Sequence, residues 1–476
     1  MSTFFVENFG CRATQADGRA LERDLSARGM DRATSTRNAE VVVLNTCTVT
    51  AEADKDVRAA IRRLHRENPG CRILVTGCYA QRAPQELGGL PGVSWVVGNS
   101  HKPQIGEILH QNCHPERASF ASEGPLFPAE APASTYVGDI FAHTELMAAP
   151  VFDGLGYDKT RPNLKVQDGC DNRCSFCIIP FVRGQSRSLR RDHVLRELGA
   201  LVDAGFREVV ISGINLGRWG RDLAPQQRFE DLVRSILAHT GVERLRLSSI
   251  EPMDWTDELI ELVAGSSRVA KHAHVPLQTG SDRVLRRMHR KYRPWHYEDR
   301  IRRIRSALPM AAIGADVMVG FPGETDAEFE ENRQFIASLP FNYLHVFTYS
   351  PRPGTPAAEM AQQVAAEVKR ERNRVLRELA AEKKRAFMRS LVGQTVSTIT
   401  LSVVEAGRTE TLTDNYQKLW LEGEHPANQI IPAQVLAICG DALVGVASDF
   451  GDHGDVGDSG DSPDDPIFRS PDSPVL

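Results

Sequence analysis

No apolar run in this 476-residue chain approaches the length of a membrane span, which takes about 20 residues, so no membrane partner is expected. The start, Met-Ser-Thr-Phe-Phe-Val-Glu-Asn, lacks the basic stretch and apolar core of a secretory leader, and a cytoplasmic location is expected. An even cysteine count is also lacking. The nine cysteines are spread over a long chain, which argues against a disulfide framework and for metal ligation in a reducing compartment. An excess of negative charge is lacking outside the C-terminal end: residues 449–476 hold eight Asp, no Glu and one Arg, a net of −7 against −5 for the whole chain. The body therefore carries about +2, compatible with an anionic partner. At 41% hydrophobic and 25% charged, the composition is that of a soluble globular protein, long enough for about three domains.

What the chain does have is a cluster of thiols. The run Asp-Gly-Cys-Asp-Asn-Arg-Cys-Ser-Phe-Cys sets Cys170, Cys174 and Cys177 at C-x3-C-x2-C spacing. Three thiolates on one tight loop can hold three irons of a 4Fe–4S cluster, which normally takes four cysteines, and leave one iron open to a small molecule. Zinc sites favour C-x2-C pairs completed by a second pair or by histidines, and no fourth Cys or His follows before His193. A structural zinc knuckle, or thiols that merely pack, is the alternative.

Residues 1–110 alternate strand candidates (Thr3–Val6, Val41–Leu44, Ile73–Thr76, Trp95–Val97) with helical patterns (Asp17–Arg28, Ala53–Glu67, Pro103–His110), which predicts a doubly wound parallel sheet. Cys11, Cys47 and Cys78 fall just past three of those strands, at the sheet edge where ligands bind. Cys71 precedes its strand and belongs at the opposite edge. Small buried thiols are the alternative reading. Residues 111–160, with Cys113, form a weakly patterned connector. Residues 161–390 begin as strand–helix repeats, with strands expected at Leu164–Gln167, Glu208–Ser212, Arg244–Ser248, Ala273–Pro276, Ala315–Val319 and Tyr343–Tyr349. Six units fit a partial (β/α) barrel, whose active site forms at the C-terminal strand ends. The domain closes with a basic helix near 362–390, either a solvated face or a contact for RNA phosphates. Residues 391–448 read as a small all-β unit punctuated by glycines, and the Asp-rich segment 449–476 as a disordered acidic tail.

The cysteine loop resembles the signature of the radical S-adenosylmethionine (radical SAM) enzymes, C-x3-C-x-aromatic-C, with Phe176 in the aromatic place. With the second cysteine set, residues 1–448 resemble the radical SAM methylthiotransferases. Asn-Thr-Cys-Thr-Val-Thr (45–50), Val-Thr-Gly-Cys-Tyr-Ala-Gln (75–81), Cys-Ser-Phe-Cys-Ile-Ile-Pro-Phe-Val-Arg-Gly (174–184), His-Val-Pro-Leu-Gln-Thr-Gly-Ser-Asp (274–282) and Val-Gly-Phe-Pro-Gly-Glu-Thr (319–325) carry the likeness in order. Arg-Gly-Gln-Ser-Arg-Ser (183–188) and Tyr-Ser-Pro-Arg-Pro-Gly-Thr-Pro-Ala-Ala (349–358) most resemble the branch acting on N6-threonylcarbamoyladenosine in tRNA. The first cysteine departs from that branch: two places after the basic Arg12, where Asn is usual, stands Thr14.

The resemblance implies an α/β multidomain protein: an N-terminal methylthiotransferase domain (1–110), a radical SAM core (161–390) and a TRAM-like RNA-binding barrel (391–448). It implies two 4Fe–4S clusters. The one on Cys170, Cys174 and Cys177 would bind S-adenosylmethionine (SAM) and cleave it to a radical that takes the hydrogen from C2 of adenine. The one on Cys11, Cys47 and Cys78 would carry the sulfur, which a second SAM methylates. Phe176, Gly213, Asn215, Ser248, Glu251 and Gln278 are candidate SAM contacts. Arg183, Arg187, Arg190 and Arg191 are candidate phosphate contacts, and Tyr416 and Trp420 candidate base-stacking residues. The implied partners are a tRNA anticodon stem-loop, a low-potential electron donor such as flavodoxin or ferredoxin, and a sulfur donor. The same chemistry on N6-isopentenyladenosine or on an aspartate of a ribosomal protein, or a non-catalytic zinc-containing RNA-binding protein, are the other readings.

Overall fold

A computed structural model describes residues 2–113, 132–142 and 160–448. The Cys113 side chain, most of the expected connector and the acidic tail lie outside the described residues. None of the described helices is long and apolar enough to cross a membrane.

Six parallel strands form the N-terminal sheet: β1 (Thr3–Asn8), β2 (Asp31–Arg32), β3 (Val41–Thr46), β4 (Arg72–Gly77), β5 (Val93–Gly98) and β6 (Ser134–Tyr136), in the order β2-β1-β3-β4-β5-β6. β3 is buried along its whole length, as a central parallel strand covered on both faces must be. The helix after it, Ala51–Glu67, is capped by the Thr50 side chain and carries Glu52 and Asp54 in its first turn and His65 and Arg66 in its last, matching both ends of the helix dipole. The sheet runs past the expected boundary at residue 110. Ser134–Tyr136, read from sequence as unpatterned connector, pairs with Trp95–Val97. A three-residue edge strand is too short to show a period.

The core opens with β7 (Asn163–Lys165), followed by β8 (Gln167–Asp168) and β9 (Arg187–Ser188), which pair antiparallel and close the base of the cysteine loop. One strand was expected over 164–167, and it is broken in two. The barrel continues with β10 (Glu208–Ser212), β11 (Arg244–Leu247), β12 (His272–His274), β13 (Ala312–Val319) and β14 (Tyr343–Thr348). Two parallel three-stranded sheets, β7-β10-β11 and β12-β13-β14, meet at a seam. There Ala270 N donates to Leu245 O at 2.9 Å and Ile250 N to His274 O at 3.1 Å. The result is an open six-stranded arc with helices outside, on a core of Ile211, Leu245, Val275, Val317 and Trp255.

The helix Ala366–Leu391 crosses from the core to a closed five-stranded barrel of β15 (Thr395–Glu405), β16 (Arg408–Thr413), β17 (Lys418–Glu422), β18 (Ile430–Cys439) and β19 (Ala442–Ala447). Phe387, Met388 and Leu391 at its end pack on Leu419, Leu421 and Val435 of the barrel. Much of its basic charge is spent internally. Arg372 is buried against Glu324 and Asp326, Lys383 donates to the carbonyls of Ala337 and Leu339, and Arg374 bridges Glu371 and Glu378.

Candidate active site

The strand order of the N-terminal sheet reverses between β1 and β3, and loops diverging at such a switch point leave a crevice. Cys11 follows β1, Cys47 follows β3 and Cys78 follows β4, so the crevice edge gathers all three. Two glycines make the approach possible. Gly10 has φ +114°, and a Cβ there would sit 2.4 Å from the Cys47 Cβ. Gly77 has φ +100°, and its Cβ would meet the Thr46 carbonyl oxygen at 2.4 Å. Burial, then the neighbouring Cys78 and Cys11, push the Cys47 thiol up to about 12. A cationic metal cluster bound at this edge would relieve the opposition that Cys47 meets from burial and its two neighbouring thiols. Thr14, in the place where Asn was expected, sets its hydroxyl 3.5 Å from Cys11 Sγ. Cys71 is buried in the hydrophobic packing below the sheet, away from this edge.

The loop Cys170–Cys177 rises from the end of β8. The Asn172 amide lies 3.4 Å from Cys170 Sγ and Asn215 Nδ2 lies 3.7 Å from it. Arg290 Nη1 donates to Cys174 Sγ at 3.3 Å and its other nitrogen pairs with Glu251. Burial and the adjacent Cys174 push Cys177 up to about 12. This second trio fits a cluster by the same reasoning, with donors already directed at its sulfurs.

One cavity of about 560 Å³ is lined by Cys11 from the first set, with Cys47 and Cys78 buried behind it, and by Cys170, Cys174 and Cys177 from the second. That volume is ample for a small-molecule ligand. Phe176, Gly213, Ser248, Glu251 and Gln278 also line it. Asn215 does not, and works from behind, its amide N–H reaching Gln167 Oε1 at 2.7 Å. Ser248 Oγ and Gln278 Oε1 are buried with no protein partner among the described residues. Buried polar groups need a partner, and a ligand's hydroxyl or amino group can supply it.

Arg183, expected on tRNA phosphate, is instead 2% exposed. It contacts both Asp168 oxygens at 3.0 Å and Asp17 at 3.1 Å. Its helix, Ile179–Arg183, is wedged under Cys78, and burial there demands counter-ions. Arg187 is half-buried and donates to the Arg183 carbonyl, while Arg190 and Arg191 are exposed. Trp420 lies half-buried under the Lys418 ammonium, 4.4 Å from the ring centre. Tyr416 enters the cavity, 4.5 Å from His272 and 5.7 Å from Tyr343 between ring centres.

Sequence reasoning missed Arg12, Ser249, His272, His274, Arg290, Asp316, Tyr343 and His345, all cavity-lining. A signal was present in His-Ala-His, Gly-Ala-Asp and Tyr-Leu-His (272–274, 314–316, 343–345): alternate polar residues on adjacent strands share one face. His274, Asp316 and His345 hold their ligand atoms within 4.8 Å of one another, a grouping able to take a divalent ion.

A parallel arc with a three-cysteine loop at its C-terminal strand ends is the architecture of a radical SAM enzyme. Residues 164–336 match the Radical SAM superfamily and residues 3–98 match Uncharacterized protein family UPF0004. The chain is 37% identical to threonylcarbamoyladenosine tRNA methylthiotransferase MtaB of Bacillus subtilis over 92% of this chain and 94% of that one. It is 35% identical to the protein of that name from Aquifex aeolicus (89% and 98%). It is 32% identical to tRNA-2-methylthio-N(6)-dimethylallyladenosine synthase of Pelotomaculum thermopropionicum (79% and 81%). Its fold is similar to that of the radical SAM methyltransferase TsrM from Kitasatospora setae, with TM-score 0.55, 16% identity, and coverage of 75% of this chain and 77% of that one. The chain belongs to the radical SAM methylthiotransferases, in the MtaB-like branch.

Proposed function

We propose that this enzyme inserts a methylthio group at C2 of N6-threonylcarbamoyladenosine next to the anticodon of tRNA, giving 2-methylthio-N6-threonylcarbamoyladenosine. One observation carries the reading: Cys11 of one set of three thiols and Cys170, Cys174 and Cys177 of the other, from two domains, line one cavity. Cys170, Cys174 and Cys177 would hold one 4Fe–4S cluster and Cys11, Cys47 and Cys78 the other. Such clusters supply one-electron cleavage of SAM and a sulfur for insertion at an unactivated C–H bond, chemistry beyond any side-chain acid or base.

The chain's own groups bind and orient. Phe176 offers an apolar face, and Ser248, Glu251 and Gln278 offer polar atoms to SAM. Arg290 neutralises charge at Cys174 and fixes Glu251. The closed barrel (391–448) is read as a TRAM-like RNA-binding unit, with Arg190 and Arg191 as phosphate contacts whose affinity falls with salt. A splayed anticodon-loop base is the kind of RNA target that enters such a cavity. A low-potential donor such as flavodoxin or ferredoxin and a sulfur donor would complete the system in the cytoplasm.

The test is nucleoside mass spectrometry of tRNA from cells lacking the protein, before and after it is restored. A methylthio group returning on N6-threonylcarbamoyladenosine supports the reading. Its return on N6-isopentenyladenosine keeps the chemistry and overturns the substrate. No change in any methylthio nucleoside turns attention to ribosomal protein, and colourless zinc in place of iron and acid-labile sulfide would support the non-catalytic alternative.

A further inference from the structure

The two adenosine substrates open to this family differ in one group. The N6 substituent of one is a carbamoyl-linked amino acid with a carboxylate; that of the other is an apolar prenyl chain. A pocket for a prenyl group needs apolar walls. Each side chain that β12, β13, β14 and the β16–β17 turn send into this cavity carries a polar group: His272, His274, Asp316, Tyr343, His345 and Tyr416.

Its construction follows from strand alternation. His272 and His274, Gly314 and Asp316, and Tyr343 and His345 are three alternate pairs on adjacent parallel strands, with His274 paired to Gly314 and Asp316 to His345. Gly314 is essential to the arrangement, since a Cβ there would stand 1.9 Å from Tyr343 Cζ. Its absence lets the Tyr343 ring lie across the neighbouring strand, stacked near both histidines at 5.8 and 5.9 Å. The Tyr343 hydroxyl is 2.6 Å from His272 Nε2. Tyr416 adds the next ring. It sits in the left-handed region at φ +65°, in a turn anchored by Arg246, which donates to the carbonyls of Thr413 and Asp414. The small barrel thus pushes one aromatic residue into the core's cavity.

At the end of this row stands Arg12, which follows Cys11. Its Nη2 donates to the Tyr416 hydroxyl at 3.3 Å. Arg12 lines the cavity and has no carboxylate partner among the described residues. At the other end Asp316 lies 3.3 Å from His274 Nε2 and 3.4 Å from His345 Nδ1. The wall therefore runs from an unpaired cation, across hydroxyls and imidazoles, to an anion.

We infer that Arg12 is the carboxylate clamp for the N6 substituent, and that the Tyr416–Tyr343–Asp316 row binds its hydroxyl and carbamoyl groups. This rests on the functional reading above and gives it a specificity determinant. A guanidinium recognises a carboxylate with directed, charge-assisted hydrogen bonds. Asp316 would repel that carboxylate and accept from a hydroxyl or N–H, which fixes the direction of the substituent. A prenyl chain would desolvate Arg12 without giving it a carboxylate, the costly mismatch that separates polar from apolar substrates.

The experiment is fluorescence anisotropy of the cluster-loaded enzyme with anticodon stem-loop RNAs. These carry N6-threonylcarbamoyladenosine, its neutral methyl ester or N6-isopentenyladenosine. The acid is expected to bind about 10- to 100-fold tighter than the ester, the range of a charge-assisted hydrogen bond. Arg12→Gln should bring that ratio toward one, and Arg12→Lys should keep part of it. A wild-type ratio near one, or Arg12→Gln keeping the wild-type ratio, overturns the clamp. If Arg12→Gln fails to assemble the cluster beside it, Tyr416→Phe decides: its ratio should fall several-fold, and an unchanged ratio overturns the inference. The same RNAs are assayed for methylthiolation. Turnover of the isopentenyl RNA alone overturns the substrate reading, whereas turnover of the threonylcarbamoyl RNA with a ratio near one overturns only the clamp.

Discussion

Arg290 is a permanent cation 3.3 Å from a candidate cluster sulfur. Burial opposes its charge, but Tyr292, Glu251 and Cys174 hold its proton affinity well above the usual value. Replacing it with Met would remove positive charge beside the cluster and make reduction harder. A redox titration followed by electron paramagnetic resonance should read a negative shift on the order of tens of millivolts. The cysteines themselves divide by role. Cys174→Ala should abolish formation of 5′-deoxyadenosine from SAM, while Cys47→Ala should leave that cleavage measurable and stop thiolation. Full thiolation by Cys47→Ala would remove that residue from the second cluster. The cysteines were legible in the sequence because ligand spacing within a loop is a local property. Arg290 was not, because 116 residues separate it from Cys174.

Among elements, the ends of β1 and β4 show how a turn builds a site. Gly77→Ala would press a Cβ against the Thr46 backbone in a left-handed conformation that alanine disfavours. The expected result is loss of the auxiliary cluster alone, about four irons per chain, with SAM cleavage kept; iron and sulfide assays check it. The strands were read closely from sequence, since apolar runs such as Val41–Thr46 carry their own period and length. β2, β6 and β9, of two or three residues each, escaped for want of length. The 349–358 motif carried the branch resemblance, yet its arginine serves the frame. Arg352 reaches Asp54 at 2.6 Å and the Thr48 carbonyl at 3.2 Å, pinning the segment after Cys47.

At the scale of the molecule, buried charge joins the domains. Asp17, on the first helix, meets Lys102 from its own domain and Lys165 and Arg183 from the core. Burial alone would raise its pKa, but these three cations hold it far below the carboxylate range. Asp17→Asn would leave buried cations short of a partner, which costs roughly 3–5 kcal/mol; denaturant unfolding of wild type and variant checks it. At the junction with the small barrel, Glu208 is held down to about 2 by Arg246, Arg161 and Arg244, against the burial that opposes them. A depressed carboxylate stabilises fully above its unfolded value of 4.5 and loses that contribution as pH falls through the folded value. The shift corresponds to about 3 kcal/mol near neutral pH, with less than about half remaining near pH 3. The stability gap between wild type and Glu208→Gln, measured on the cluster-free chain, should narrow over that window; a constant gap would contradict it.

The sequence by itself determined the two cysteine sets, the three-part α/β architecture and the family, because these reside in local spacing, periodicity and motif order. Tertiary structure decided which charged and aromatic residues became frame and which became site. Arg183 turned inward to Asp17 across 166 residues, Arg352 to Asp54 across 298, and Arg12 to Tyr416 across 404. Such partners are chosen by packing. A buried charge must find its counter-charge wherever the folded chain brings one within reach, and no window of sequence contains both.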